Sequence, residues 1–342
     1  MTTPKEDGFF MPAEWHPHIA TWMAWPGLEE AYIDAPMGPK EAIKQAKVCY
    51  GEVAQTIARF ETVNMLANKE SIKEAKAHCG PTVNIIEAEI DDGWFRDSGP
   101  SFVINDKGEV AGVNWVFNAW GNKYTHEKDA RAARFVLDHL GLKCFDCDLV
   151  QEGGGIHVDG EGTVLITESC QLNKNRNPDL TKADVEKYLN DYIGVTKVIW
   201  LNGDIPCDET NGHIDGLACF IRPGVVMVTT TQDKSHADYA VLNANLETLK
   251  NSTGAKGRKL EIIEIDQPAE YIYTCPINFY FVNDAVIIPA YGFPEYDKYV
   301  LDVFKKTFTD REVIQLDTGV VIFGGGNIHC ITQQQPATRN IC

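Results

Sequence analysis

The chain has 342 residues and a formal net charge of -18, with 31 lysines and arginines against 49 aspartates and glutamates. This acidic excess disfavours binding to nucleic acids and to anionic membranes, and it is compatible with a cationic substrate. No stretch approaches the roughly 18 uncharged apolar residues of a membrane span. The opening residues, MTTPKEDGFF, lack the basic and apolar segments of a secretory signal. We therefore expect a cytoplasmic protein.

The cysteines support the same location. Ten of them are scattered along the chain, which indicates free thiols in a reducing compartment rather than a disulfide framework. Cys144 and Cys147 form a C-x-x-C pair, but no second pair completes a zinc site. The length allows either two ordinary domains or one large α/β domain.

Five segments have apolar side chains at the three- and four-residue steps that are typical of amphipathic helices. In chain order they cover residues 39–60, 127–140, 181–193, 235–250 and 296–304. In the third segment, Thr181 followed by Asp184 predicts a first-turn cap. The predicted helices are spread along the chain, so they are expected to alternate with other elements.

Between the helices lies a recurring unit: a polar or glycine-rich loop, a short strand, a turn and a second strand. The unit begins at Trp94, Glu152, Asn211, Asn278 and Gly324. Its turns contain Asp106-Lys107-Gly108, Asp159-Gly160 and Pro223-Gly224, which are typical of hairpins. The order of elements predicts five hairpin-and-helix modules, the fifth completed by N-terminal residues such as ATWMAWPG. Such modules bury their faces by packing around an axis, which would bring their leading loops together.

The leading loops contain chemically reactive side chains. They carry Trp94, Asp97, Glu152, His213, Asp215 and Cys330. Cys330 follows three glycines and an asparagine, at a place where backbone or a small ligand can come close. A cysteine becomes a nucleophile when a base or a positive charge stabilises its thiolate. Cys330 is therefore a candidate nucleophile.

His213 is the candidate base. His213 and Asp215 are two residues apart and can face the same way, and Glu152 can orient the imidazole. His329 adjoins Cys330, but neighbours on a strand point to opposite faces, so we expect His329 to be poorly placed.

Two carboxylates, Asp97 and Asp215, would raise the pKa of a nearby thiol and weaken it as a nucleophile. The conflict disappears if the substrate brings a delocalised cation. A guanidinium pairs with both carboxylates through its planar N–H fork, its carbon is electrophilic, and its charge stabilises a thiolate. The residues therefore favour a guanidine or amidine substrate over a peptide or an ester.

Each candidate also has an ordinary structural interpretation. Asp97 fits a turn residue paired with Arg96, and Glu152 fits a surface acid. His213 and Trp94 fit core side chains equally well. A metal site built from His213, Asp215 and Cys330 also stays open, whereas neither glycine run has a phosphate-binding pattern.

Five blocks of the sequence, taken together, resemble the agmatine deiminases of the guanidine-modifying (pentein) superfamily. They are WFRDSGP, EGGGIHVDGEGT, DETNGHIDG, PINFYFVNDAVIIPAYG and FGGGNIHCITQQ, and the resemblance runs from MPAEWHPHIATWMAWPG to CITQQQPA. It implies one pentein-fold catalytic domain over residues 1–342, a five-bladed α/β propeller of pseudo-repeated ββαβ modules around a central active site. It also implies hydrolysis of agmatine to N-carbamoylputrescine and ammonia, on a route to putrescine, with no metal or organic cofactor.

The resemblance also implies roles for individual residues. Cys330 would be the nucleophile that forms a covalent S-alkylthiouronium, and His213 the general acid and base. Asp97 and Asp215 would hold the guanidinium, and Glu152 would position His213. The rest of the substrate would lie against Trp94, Gly325 and Gly326. The expected partner is this small cationic substrate, with a homo-oligomer as a further possibility.

Two positions depart from the family pattern. The loop WPGLEEAY replaces an arginine-containing WPER-like loop, and Gly216 stands where many members have asparagine; both places could touch the far end of the substrate. One alternative is another guanidine-modifying enzyme, such as an arginine or peptidyl-arginine deiminase, a dimethylarginine hydrolase or an amidinotransferase. An amino-acid substrate would need a cation for its carboxylate, and Arg96, Arg222 and Arg339 cannot be assigned to that role from sequence. The alternative from a different class is a catalytically inactive binding protein of the same fold.

Overall fold

The computed structural model describes residues 2–206, 208–268 and 274–338. The strands are β1 (Phe9–Phe10), β2 (His18–Ala24), β3 (Thr62–Ala67), β4 (Val83–Glu87), β5 (Ser101–Asn105), β6 (Val110–Val116), β7 (Lys143–Val150), β8 (His157–Val158), β9 (Thr163–Thr167), β10 (Lys197–Leu201), β11 (Ala218–Arg222), β12 (Val225–Thr230), β13 (Glu261–Asp266), β14 (Tyr280–Val282), β15 (Ala285–Ala290), β16 (Glu312–Asp317) and β17 (Gln333–Pro336). The α-helices are α1 (Pro39–Ile57), α2 (Ile72–Cys79), α3 (Phe95–Ser98), α4 (Ala119–Asn122), α5 (Ala132–Leu140), α6 (Glu168–Gln171), α7 (Lys182–Ile193), α8 (Tyr239–Lys250) and α9 (Pro294–Thr307). Turns of 3₁₀-helix cover Glu29–Tyr32, Asp129–Arg131, Gly153–Gly155, Ile214–Gly216 and Val321–Gly324.

The strands form five sheets that repeat one unit. In each sheet an antiparallel pair is followed by a helix and then by a strand that pairs parallel with the second strand of the pair. The sheets have the orders β1-β5-β6-β7, β10-β9-β8, β11-β12-β13, β14-β15-β16 and β17-β2-β3-β4. The crossover helices are α5, α7, α8, α9 and α1. The mixed α/β class and the five predicted modules are therefore confirmed.

The fifth module is shared between the two ends of the chain. Strand β17 pairs antiparallel with β2, with Gln333 opposite Trp22, and β2 pairs parallel with β3 after helix α1. This pairing confirms that N-terminal residues around ATWMAWPG complete the last module. It also ties the segment that carries Cys330 to the start of the chain.

The predicted helices are present, with differences at their ends. Helix α7 begins with the predicted cap, since the Thr181 side chain and the Asp184 backbone and side chain bond reciprocally. Helix α5 starts later than expected because a 3₁₀ turn precedes it, and α8 starts at Tyr239 rather than at residue 235. Helix α2 was not predicted, because in this short helix only Ala75 and Cys79 are buried and no apolar period stands out.

The apolar faces pack as amphipathic helices require. In α7, Val185, Leu189 and Ile193 are buried in one cluster with side chains of the neighbouring strands. Burial of each such side chain contributes about 1.5–3 kcal/mol to folding. In α9 the apolar spacing of Tyr296, Tyr299, Val303 and Phe304 predicts the buried face. Phe304 is buried and Tyr296 and Val303 pack against the same cluster, whereas Tyr299 is 37% exposed.

The hairpin turns predicted from sequence close the expected strands. Gly108, Gly160 and Gly224 adopt φ values of 79°, 70° and 76°, a left-handed conformation that favours glycine. No helix in the three described ranges is long and apolar enough to cross a membrane. The eight cysteines that the described ranges contain are free thiols, including Cys144 and Cys147, while Cys207 and Cys342 lie outside those ranges.

Candidate functional site

Three leading loops meet at Gly154. A Cβ atom on this residue would lie 2.6 Å from His213 Nδ1, 2.9 Å from Asp215 Oδ2 and 3.0 Å from Asp97 Oδ1. Any side chain here would displace these polar groups. The loops that precede β5, β8 and β11 therefore bring two carboxylates and an imidazole around one glycine.

Cys330 lies beside the same group of acids. Its Sγ is 3.4 Å from Asp215 Oδ2, and the residue is 5% exposed. Asn278 Nδ2 donates a hydrogen bond to the sulfur at 3.1 Å, and Asn278 Oδ1 accepts one from the Cys330 backbone N–H at 3.3 Å. Sequence reasoning missed Asn278 as a site residue, although it leads the fourth module. Its position as the first residue of that module was the available signal.

The glycine run before Cys330 allows close packing against two aromatic rings. A Cβ atom on Gly326 would lie 2.6 Å from Cys330 Sγ and 3.0 Å from the Trp94 ring. On Gly324 it would lie 2.7 Å from Trp94 and 2.8 Å from Tyr32. Tyr32 belongs to the WPGLEEAY loop, so the loop that departs from the family pattern lies directly against the glycine run.

His329 is placed differently from the expectation. Cys330 and His329 lie in a turn rather than in a strand, so the alternation of side chains does not apply. His329 Nδ1 lies 2.8 Å from Asp215 Oδ2, and Nε2 lies 2.8 Å from Glu14 Oε1. His329 and Cys330 thus contact the same carboxylate. Glu14, near the N-terminus, was also missed by sequence reasoning.

His213 lies between two carboxylates without bonding closely to either. Its Nδ1 is 3.8 Å from Asp97 Oδ2, and its Nε2 is 3.5 Å from Glu152 Oε2. Neither ring nitrogen makes a hydrogen bond to a described residue. The backbone N–H of His213 donates to Thr210 Oγ1 at 2.9 Å, which fixes the loop while leaving the ring free.

Asp97 is held by two nitrogen donors. The Gly154 backbone N–H donates to Oδ1 at 2.8 Å, and Trp120 Nε1 donates to Oδ2 at 2.9 Å. The pairing with Arg96 is wrong, because the Arg96 guanidinium bonds to Glu14 and to the His329 carbonyl instead. Trp120 was missed, since a tryptophan carries no titratable group that would single it out.

Glu152 is a buried residue rather than a surface acid. It is 1% exposed, and Arg176 Nε donates to its Oε1 at 2.6 Å. Arg176 also donates to the Thr210 carbonyl at 3.1 Å, so one guanidinium joins the loops of two modules. Cys170 Sγ lies 3.8 Å from Glu152 Oε2.

The electrostatics keep the resting cysteine protonated. Burial raises the pKa of Cys330 well above its usual range, and the charges of Asp215 and Asp97 raise it further. Burial opposes ionisation of Asp215, but the hydrogen bond and charge of His329 outweigh burial and lower the pKa of Asp215. Burial opposes protonation of His213, but Asp97 and the other neighbours raise the pKa of His213 well above its usual range. The two acids therefore raise the pKa of the buried thiol, as the sequence predicted.

The remaining alternatives depend on other groups. Arg96 is buried and pairs with Glu14, Arg222 is exposed and pairs with Glu261, and Arg339 lies outside the described residues. Neither described arginine is thus available for the carboxylate of an amino-acid substrate.

Two groups of metal-ligand side chains in the described ranges have their ligand atoms within 4.8 Å of one another. They are Glu14, His157 and His329, and Glu152, Cys170 and His213; the trio of His213, Asp215 and Cys330 is not one of them.

Comparisons with known proteins identify the family. The Porphyromonas-type peptidyl-arginine deiminase family matches residues 10–336. The agmatine deiminase of Pseudomonas aeruginosa is 39% identical over 99% of this chain and 98% of its own. The structure of Enterococcus faecalis agmatine deiminase has a TM-score of 0.92 and 36% identity and covers 98% of each chain. A substrate-bound C. jejuni agmatine deiminase has a TM-score of 0.84 and 26% identity, covering 96% of this chain and 97% of its own. The pentein fold is thereby confirmed, and the chain belongs to the Porphyromonas-type peptidyl-arginine deiminase family and, within it, to the agmatine deiminases.

Proposed function

We propose that this protein hydrolyses agmatine to N-carbamoylputrescine and ammonia through a covalent bond between Cys330 and the guanidinium carbon. The observation that carries the proposal is the arrangement around Gly154, where two buried carboxylates and an imidazole lie beside a buried thiol. A guanidinium cation supplies the positive charge that this arrangement needs. The full-length similarity to agmatine deiminases supports the same substrate.

Asp97 and Asp215 are proposed to hold the guanidinium, one on each side. Burial raises the pKa of Asp97, and the neighbouring carboxylates of Asp215 and Glu152 raise it further. A bound cation opposes this shift and favours the ionised carboxylate of Asp97. The same cation lowers the pKa of Cys330, so substrate binding itself produces the thiolate.

The reaction then needs one acid and one base, and His213 serves as both. The Cys330 thiol gives its proton to solvent as the cation binds, and the thiolate attacks the guanidinium carbon. The imidazolium of His213 protonates the departing ammonia, leaving the S-alkylthiouronium. The neutral ring then takes a proton from water, and the oxygen attacks the same carbon. Collapse breaks the C–S bond, releases the ureido product and restores the thiol.

Glu152 and Trp94 are proposed to position the reacting groups. Glu152, held by Arg176, faces His213 Nε2 and keeps the ring directed at the substrate. Trp94 packs against Gly324 and Gly326, and this position beside the glycine run supports a role in lining the tetramethylene chain of agmatine. Gly325, in the left-handed region with φ 104°, lets the backbone turn beside that ring.

The far end of the substrate is proposed to face acids. A Cβ atom on Gly325 would lie 3.4 Å from the Cβ of Glu209, and the loop against this run carries Glu29, Glu30 and Asp34, all exposed. Acids suit the ammonium group of agmatine and disfavour the carboxylate of arginine. We thus expect agmatine to be the better substrate.

Finer points of the expected biology are part of the same proposal. We propose one catalytic domain over residues 1–342, with the repeated module in all five sheets as support. A cytoplasmic location and a homo-oligomer stay predictions, to be measured by fractionation and by light scattering.

One assay tests the function. Ammonia release is measured with agmatine, arginine and a peptidyl-arginine, using the wild type and Cys330→Ser, with and without a chelator. We expect a kcat/KM for agmatine that exceeds the value for arginine by about two orders of magnitude or more, because an unpaired buried charge is strongly penalised. Cys330→Ser should be inactive. Equal rates on agmatine and arginine would indicate another guanidine-modifying enzyme. If none of the three substrates released ammonia, the result would indicate a binding protein.

A further inference from the structure

A second thiol lies on the side of His213 away from Gly154. Cys170, 1% exposed, has its Sγ 3.8 Å from Glu152 Oε2, and the same oxygen is 3.5 Å from His213 Nε2. The three ligand atoms all lie within 4.8 Å of one another. The proposed reaction gives Cys170 no role.

Cys170 Sγ donates a hydrogen bond to Glu152 Oε2, whereas the contact of His213 with the same oxygen is long. An N···O separation of 3.5 Å is too long for a good hydrogen bond, and neither ring nitrogen of the 3%-exposed His213 bonds to a described residue. Buried polar groups usually have partners. An imidazole without close partners suits proton transfer to a substrate, and it also leaves a ring nitrogen open to another ligand.

Tetrahedral zinc fits the spacing of this open nitrogen and its two neighbours. Zinc bonds to nitrogen, oxygen and sulfur at about 2.0–2.3 Å, which places two ligands of one ion about 3.3–3.7 Å apart. The 3.5 Å separation of His213 Nε2 and Glu152 Oε2 lies within this range, and the 3.8 Å separation of Cys170 Sγ and Glu152 Oε2 lies just above it. Cysteine, histidine and glutamate are all zinc ligands, and three protein ligands leave a fourth position for water.

The surroundings also suit a metal. His213 Nδ1 faces Asp97 Oδ2 at 3.8 Å, the carboxylate–histidine arrangement that orients Nε2 toward an ion. The second oxygen of Glu152 is held by Arg176, which leaves Oε2 directed at the cluster. The charges balance, since Glu152 and an ionised Cys170 neutralise a divalent ion while Asp97 offsets Arg176.

The other group of three, Glu14, His157 and His329, lacks these properties. Both ring nitrogens of His329 lie 2.8 Å from carboxylate oxygens, and Nδ1 of His157 accepts a hydrogen bond from the Phe220 backbone N–H. The buried Arg96 guanidinium also bonds to Glu14. In that group His157 Nε2 lies 3.6 Å from Glu14 Oε2, but both ring nitrogens of His329 are already bonded to carboxylates. The unbonded histidine therefore favours the cluster at Cys170.

We propose that Glu152, Cys170 and His213 bind one Zn²⁺ ion and that the bound ion blocks the reaction. On coordination the thiol of Cys170 and the protonated ring of His213 each release one proton to the buffer. The inhibitory part rests on the proposed function, because the ion occupies the His213 nitrogen that faces Glu152 and fixes the ring. The binding part is independent of any substrate.

Calorimetric titration of the full chain with Zn²⁺ tests the binding part. The key variant is Cys170→Ala, and the matched control is Cys219→Ala, another buried cysteine that belongs to neither group. We expect the wild type and Cys219→Ala to bind one ion per chain, and Cys170→Ala to bind at least about tenfold more weakly. Equal affinity in the wild type and Cys170→Ala, or no binding to the wild type, would overturn the proposal.

Co²⁺ used as a probe identifies the thiolate. The near-ultraviolet sulfur-to-cobalt charge-transfer band should persist in Cys330→Ser and disappear in Cys170→Ala. The reverse result would place the ion on the proposed nucleophile and overturn the assignment. In the agmatine assay, the Zn²⁺ concentration that halves each variant's own rate should be at least about tenfold higher for Cys170→Ala, and a chelator should restore activity. An unchanged half-inhibitory concentration would overturn the inhibitory part even where zinc binding is confirmed.

Discussion

Two histidines of this protein occupy matching positions with different contacts. His329 and His213 are 2% and 3% exposed, and each lies between two carboxylates. The ring nitrogens of His329 lie 2.8 Å from both of its acids, whereas those of His213 lie 3.8 and 3.5 Å from theirs. The same residue type in the same kind of environment is thus hydrogen-bonded at His329 and unbonded at His213.

The difference distinguishes a structural charge from a reactive one. A ring that donates from both nitrogens to carboxylates is an imidazolium, and its acids are fixed with it. Burial and Arg96 oppose protonation of His329, but Glu14 and Asp215 raise the pKa of His329 above its usual value. A ring without close bonds can instead turn toward a substrate, and catalytic hydrogen bonds are often long before the substrate binds. On this account His329 holds Asp215 in place and His213 transfers protons.

The largest expected effect is on catalysis at His213. His213→Gln removes the acid and base but keeps a polar side chain, so kcat for agmatine should fall by about 10²–10⁴-fold. The agmatine affinity measured in a Cys330→Ser background should change little, because Asp97 and Asp215 remain. Steady-state kinetics and calorimetry give the two quantities. A loss of less than tenfold in kcat would show that another group transfers the protons.

The same exchange at His329 should affect stability instead. Among the described residues, His329 is the nitrogen donor to the Asp215 carboxylate, whereas Asp97 and Glu152 keep other donors when His213 is lost. Removal of one partner of a buried ion pair typically costs about 3–5 kcal/mol. We therefore expect the free energy of unfolding of His329→Gln to fall by about that amount, and of His213→Gln by less than half as much. Denaturant titrations measure both, and equal losses would remove the distinction between the two histidines.

The contribution of the two carboxylates to agmatine binding should be measurable separately from the reaction at Cys330. Asp97→Asn in the Cys330→Ser background keeps the shape of the side chain but removes one charge from a charge-assisted pair, typically worth about 1.5–3 kcal/mol. Agmatine affinity should weaken by about ten- to a hundredfold in calorimetry. Unchanged affinity would mean that the proposed two-carboxylate clamp does not hold the cation.

The smallest expected effect is on the reactivity of the free thiol. Because burial and the charges of Asp215 and Asp97 raise the pKa of Cys330, iodoacetamide alkylation should rise about tenfold per pH unit from pH 7 to 9 without a plateau. Asp215→Asn removes one of these charges, so the reaction at pH 8 should become about tenfold faster. Agmatine should protect Cys330 from alkylation. The alkylated peptide is identified by mass, and a rate that is flat across neutral pH would show a thiolate already present in the free protein.

The parts of the fold that sequence predicted depend on local signals. The turn at Gly160 and the helix cap formed by Thr181 and Asp184 each depend on a few neighbouring residues, and both are present where the sequence predicts them. The order of elements predicted five modules for the same reason. Helix α2 escaped prediction because few apolar side chains define it, and in α9 only Tyr299 departs from the predicted face.

The site was partly predictable, through reactive residue types at the starts of modules. What could not be predicted are side-chain pairs between distant segments, such as Glu14 with His329, which are 315 positions apart. Arg176 lacks a local pattern that would mark it as a partner of Glu152, whereas Asn278 carries only its position at the start of the fourth module. The expectation that His329 is poorly placed as a base is consistent with its contacts, but the reason differs: His329 lies in a turn, and both of its ring nitrogens contact carboxylates.

The central claim is that Cys330 forms a covalent bond to the guanidinium carbon and that His213 resolves the intermediate. Acid-quenched turnover of agmatine, followed by peptide mass spectrometry, tests this directly in the wild type and in His213→Ala. The account predicts an adduct on the Cys330 peptide with the mass of agmatine less ammonia, and its slower disappearance in His213→Ala. Turnover without any adduct on Cys330, or with the adduct on another cysteine such as Cys170, would contradict the account.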